Sequence, residues 1–167
     1  MDVNKYATAL LLYHEFGHVR QRHFGALDPR GNDAAALATA IQLEHEADDF
    51  AYRVLVAHDD SEHVRSLKGW AVLAPALSSL YLVDGRAGLY QRRHPHLHHR
   101  VANLLAKLDF QNEQSRFYYH YLCSTVLLTF DRAYQANHNM SLTPRIFETV
   151  DEAFEAEMND LDDFHSR

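Results

Sequence analysis

The sequence predicts a mostly helical domain with little or no β-sheet. Three observations lead there. Apolar residues recur at helical spacing, as through Leu10, Leu11, Phe16 and Val19. The periodic runs are bounded by residues that cap or break helices, among them Asp33, the Asp59-Asp60-Ser61 cluster and Pro95. No stretch gives a strong strand signal, and there is no internal repeat.

Taken in order, residues 6–23 form the first predicted helix. Gly17 inside it costs about 1 kcal/mol of helix stability against Ala, and lets another segment come close. Residues 24–32, with Gly25, Pro29 and Gly31, read as a loop. Asp33 caps a second helix, rich in Ala and Leu, that runs to about residue 58. A third, apolar helix spans 62–82, bent or broken near Pro75. Residues 84–93 are a loop, and Pro95 in a first helical turn starts a fourth helix to about Leu108. A fifth covers 113–136 through Phe117, Tyr121, Val126, Leu127 and Phe130. After a loop at 137–143, Pro144 opens a last helix that runs into an acidic tail.

The 167 residues suit one domain with a sizeable core. The expected division is a domain over 1–147 and an acidic C-terminal helix or tail over 148–167. Net charge is −7, but residues 148–163 alone hold eight acids, so the body, with 15 acids and 15 bases, is neutral. No basic face argues for nucleic acid. The one cysteine, Cys123, allows no internal disulfide. The most apolar run, 70–83, is interrupted by Pro75, Ser78 and Ser79 and is too short to span a bilayer. With no signal-peptide pattern at the N-terminus, the expectation is a cytoplasmic protein without stable membrane insertion.

The chain's chemistry centres on His14-Glu15-Phe16-Gly17-His18. Residues four apart share a helix face, so His14 and His18 can offer imidazole nitrogens to one ion. Glu15, about 100° further round, can reach a water on that ion without ligating it. Zinc lowers the pKa of such a water, and the glutamate takes its proton as it attacks a carbonyl. With 13 histidines in the chain the pattern can arise by chance, so it needs a third ligand. Glu44 supplies one. Asp48, one turn on, can accept the second ring N–H of a ligand histidine and hold its tautomer. The competing reading of 44–49 is a solvated acidic helix face.

Other uses of the first motif fail on the residues. A third histidine six after the second is absent, since His23 follows His18 by five. A cysteine ligand would have to lie upstream, and Cys123 is downstream. A carboxylate-bridged di-iron bundle needs a second Glu-x-x-His pair, and only Asp60-x-x-His63 comes near.

Three pieces together resemble a peptidase family: His14 to Val19 followed by His23, the Glu44-x-Glu46-Ala47-Asp48 element, and His94-Pro95 with Arg100-Val101. They are similar to the gluzincins, the two-His-one-Glu zinc peptidases, and among these to the CAAX prenyl endopeptidases and the HtpX heat-shock proteases. The likeness covers residues 8–105. The short interval between His18 and Glu44, with no transmembrane pair, is closer to soluble relatives such as the phage-exclusion peptidase Lit and the ImmA-type proteases. The resemblance implies a zincin-like helical domain whose second helix carries the Glu ligand. It brings the 94–100 segment near the active site, so that His94 contacts the metal region or substrate and Arg100 steadies a carboxylate or developing oxyanion. The other reading of that segment is a helix start with exposed histidines, which is the expectation for His96, His98 and His99. His23, His45 and His58 are expected to be solvated or structural histidines, and Tyr118, Tyr119 and Tyr121 core or rim residues. Such peptidases usually hold substrate on a strand before the metal helix; with 13 residues ahead of His14, that strand lies elsewhere or the chain is the C-terminal part of a longer protein.

The expectation is therefore a zinc-dependent endopeptidase acting on a protein or peptide substrate. His14, His18 and Glu44 bind Zn2+, Glu15 is the general base, and Asp48 orients a ligand. The alternative is a non-catalytic helical interaction module, a degenerate or truncated relative that keeps zinc for structure.

Overall fold

The structure is a computed structural model that describes residues 2–25, 33–56, 60–83, 85–140 and 145–165. Six α-helices carry the described chain: α1 (Val3–Arg20), α2 (Ala34–Leu55), α3 (Glu62–Ser79), α4 (Leu97–Leu108), α5 (Glu113–Asn137) and α6 (Val150–His165). Among the described residues there is no strand, as the sequence predicts. No described helix is long and apolar enough to cross a membrane. His58, Pro29, Gly31 and Pro144 lie outside the described residues.

The chain divides into two compact units, Met1–Pro75 with Gln91–Pro95, and Ala76–Tyr90 with His96–Arg167. The chain passes between units inside α3 at Pro75, where the missing amide removes one helical hydrogen bond. α3 nevertheless continues to Ser79, and a 3-10 turn covers Leu80–Leu82.

In the first unit α1 packs on α2. Asp2 caps α1, and Asp33 caps α2 by accepting from the Ala36 amide at 2.9 Å. The buried stripe of α2 is Ala40, Leu43, Ala47, Asp48, Ala51 and Leu55, at helical spacing and mostly small. The facing stripe of α1 is Leu10, His14, Gly17 and His18. The apolar Leu11, Phe16 and Val19, which carry the helical spacing in the sequence, are instead exposed. Burial follows the face with the small and ligand-type side chains, where the two backbones can come close.

In the second unit α4 buries Leu97, Val101, Leu104, Leu105 and Leu108 on one face. α5 answers with Tyr119, Cys123, Leu127 and Phe130, and Phe110 stacks on Tyr119 at 4.9 Å. The fourth helix starts two residues later than Pro95 predicts, with His96 as its N-cap. α6 starts later than Pro144 would have it. Its start is a capping pattern, Thr149-x-x-Glu152, in which the Thr149 hydroxyl accepts from the Glu152 amide at 3.1 Å. α6 packs against α5 and buries Phe154, Glu157 and Leu161, so the acidic segment is one side of an amphipathic helix and not a free tail.

Glu157 is the exception on that buried stripe. Burial, with Asp131 and Asp160 nearby, raises its carboxyl above the ordinary 4.5, while Arg145 and Arg132 pull the other way. A folded-state pKa raised above the unfolded one makes stability fall as pH climbs past about 4.5. Glu157→Gln should therefore raise the melting temperature by a few degrees at pH 7 and leave it unchanged near pH 4. Thermal melts at the two pH values check this; an equal shift at both would show that the charge is not the cause.

Candidate metal centre

α1 comes close to α2 at Gly17. A Cβ there would stand 3.2 Å from the Ala47 Cα and 3.4 Å from its carbonyl oxygen, both backbone atoms that cannot rotate away. Three residues before and one residue after this close approach on each helix, His14 and His18 stand opposite Glu44 and Asp48.

His14 Nδ1 donates to Asp48 Oδ1 at 2.8 Å, and both side chains are buried. His18 Nδ1 shares a 2.9 Å hydrogen bond with Nδ1 of His23, which is 2% exposed. His23 Nε2 in turn lies 3.3 Å from Glu46 Oε2, an electrostatic contact more than an aligned hydrogen bond. Each chain of contacts ends on a carboxylate. With neutral rings, the carboxylate at the far end asks for a proton on the nitrogen facing it, which leaves Nε2 of both His14 and His18 with a lone pair.

Those two Nε2 atoms are 3.3 Å apart. His14 Nε2 is 3.4 Å from Glu44 Oε2, and His18 Nε2 is 3.4 Å from Glu44 Oε1. One donor atom from each of the three residues lies within 4.8 Å of the others. In these tautomers three acceptors converge on one point, an arrangement a cation would relieve. Tetrahedral ligands at bond lengths of about 2.0–2.1 Å stand about 3.3–3.4 Å apart, so the residues fit a zinc ion. His94 Nδ1 donates to Glu44 Oε2 at 3.0 Å and braces the carboxylate from the solvent side, its own ring half-exposed.

The electrostatics agree. Burial lowers the His18 pKa, with His14 and His23 adding to that and Glu44 opposing it, so the ring stays neutral. Burial alone would raise the Glu44 carboxyl, but His14 and His94 beside it hold it well below the ordinary carboxylate range. The set is two imidazoles, the His18 ring neutral, and one carboxylate.

Glu15 is exposed on α1, next to His14, and its charge reaches His18. Arg100 is half-buried on α4, in the second unit. His45 is half-buried on α2. The sole cysteine is no nucleophile, since burial pushes its thiol up to about 12. Tyr119 is buried, and Tyr118 and Tyr121 are exposed rim residues of α5.

Sequence reasoning missed the part played by His23. Its position five residues after His18 belongs to no helical face. The chain leaves α1 through Arg22 in the left-handed region, at φ 59°, and this turn folds His23 back under His18. The Gln21 side chain, donating to the Glu46 carbonyl oxygen at 3.2 Å, ties the turn to α2.

The family model of Peptidase U49 matches residues 1–123, which takes in all of α1 to α4 and the site. The chain belongs to the Peptidase U49 family. Membership supports peptidase activity, the hydrolysis of peptide bonds. No curated protein and no solved structure matches the chain.

Gly17→Ala tests the constraint beneath the site. Helix propensity would gain about 1 kcal/mol, but the methyl group meets backbone, and overpacking of this kind costs about 1–3 kcal/mol. The variant should be less stable than wild type in urea unfolding while keeping its helical circular dichroism. A more stable variant would mean that the two helices part freely.

Proposed function

We propose that the chain is a zinc-dependent endopeptidase whose metal is held by His14, His18 and Glu44 and whose general base is Glu15. The observation that carries this reading is the convergence of two imidazole Nε2 atoms and the Glu44 carboxylate at 3.3–3.4 Å. Membership of a peptidase family supports the reaction class, and the residues fit the two-His-one-Glu donor set of hydrolytic zinc sites. A zinc ion in this site supplies Lewis acidity toward the scissile carbonyl and makes water more acidic.

The chain's own residues do the rest. Asp48 holds the His14 tautomer through a 2.8 Å hydrogen bond, and His23 does the same for His18 at 2.9 Å. His94 keeps Glu44 oriented and ionised. Glu15, exposed beside His14, takes a proton from the attacking water at its carboxylate and delivers it to the leaving amine nitrogen. Peptide binding next to Glu15 would exclude bulk water from that transfer. The substrate is a protein or peptide.

Glu15→Gln separates this enzyme from a module that keeps zinc for structure. The variant should retain its metal and lose peptide hydrolysis by about 100-fold or more, whereas His14→Ala and Glu44→Ala should lose both. Metal content by plasma mass spectrometry is read beside cleavage of a peptide library. Full activity in Glu15→Gln would rule out the proposed base.

A further inference from the structure

The His-rich turn is only partly used by the first site. His94 braces Glu44, but His96, His98 and His99 belong to the second unit, at the start of α4. Against expectation His98 is not on the surface: it is fully buried. Its Nε2 lies 2.9 Å from Asp162 Oδ1, on α6, and His99 Nε2 lies 2.8 Å from the same oxygen. The His96 ring stacks on His98 at 5.8 Å and stands 5.4 Å from His99. The pairing escaped the sequence because 64 residues separate His98 from Asp162.

Among the described residues, two groups of His, Cys, Asp or Glu bring one donor atom each within 4.8 Å of one another. One is His14, His18 and Glu44; the other is His98, His99 and Asp162. We propose that His98, His99 and Asp162 form a second metal site, carried wholly by the second unit, for a divalent ion of the zinc class. Two imidazoles and one carboxylate are a borderline-soft set that suits zinc, nickel or copper, while calcium and magnesium call for oxygen donors. Burial, opposed by Asp162, lowers the His98 pKa to about 4, so the ring is a neutral donor at pH 7. His98 Nδ1 is buried with no hydrogen-bond partner, which leaves Nε2 as the ring's polar engagement. Asp162 and His99 are 46% and 42% exposed at their side chains, which gives an ion a way in and leaves open positions for water. Asp162 lies beyond residues 1–123, so the site depends on a helix that the family match does not reach.

The competing arrangement is a staple in which one carboxylate oxygen accepts both imidazole N–H groups. Asp162→Asn distinguishes the two, because an amide oxygen still accepts those N–H groups but is a poor zinc ligand. The full chain is stripped with chelator, loaded with Zn2+, desalted and measured by plasma mass spectrometry. Wild type should hold two zinc ions per chain. The His14→Ala/Glu44→Ala variant should hold one, and the His99→Ala/Asp162→Asn variant one. In the His14→Ala/Glu44→Ala background, Zn2+ should raise the melting temperature, and Asp162→Asn alone should weaken binding at least about tenfold and remove that rise. A single zinc that stays in His14→Ala/Glu44→Ala and leaves with Asp162→Asn supports this site and sinks the first. Zinc content unaffected by His99→Ala/Asp162→Asn, or abolished by His14→Ala/Glu44→Ala, overturns the proposal.

Discussion

Where α1 packs on α2 even a methyl group on Gly17 would be tight, because a Cβ would stand 3.2 Å from the Ala47 backbone. The rest of the first unit follows from that contact. Small residues on α2 (Ala40, Ala47 and Ala51) let the backbones approach. The approach brings the short reach of His and Glu side chains within bonding range of one point. With bulkier residues at the crossing, His14 and His18 would face Glu44 across a gap that no single ion could bridge.

Such a site is expensive to assemble. Two imidazoles and a carboxylate are desolvated together, and buried polar groups must find partners. The fold meets this from outside the cluster, through Asp48 behind His14, His23 behind His18, and His94 beside Glu44. These partners also decide which nitrogen carries the proton, so the same contacts that offset burial direct the lone pairs inward. Structure and chemistry share one set of hydrogen bonds.

The second unit uses acids differently. The eight acids of 148–163 suggest a solvated tail when counted, yet α6 is amphipathic and buries Phe154 and Leu161 against the unit's core. Its exposed and half-exposed carboxylates are engaged from several elements: Asp162 by His98 and His99, Asp151 by His120 at 2.8 Å, and Asp160 by Arg145. Net charge describes the segment less well than the partners its individual carboxylates meet.

The helical class, five of the six helix starts to within about three residues, and the grouping of His14, His18, Glu44 and Asp48 were legible because they depend on local spacing. A four-residue repeat on a helix places two side chains on one face whatever the helix packs against. The start of α6 was legible too, in Thr149-x-x-Glu152, although Pro144 was the more conspicuous signal. What the sequence could not decide is which face of α1 is buried, because Leu12, Phe16 and Val19 lie away from the face that Leu10 shares with the ligand residues, and only α2 selects between them. Nor could it find His23 under His18, which depends on one left-handed residue at Arg22, or Asp162 beside His98, which depends on packing across 64 residues. Periodicity determines what can share a face; the approach of a second helix, limited by the volume at the contact, determines which face is used.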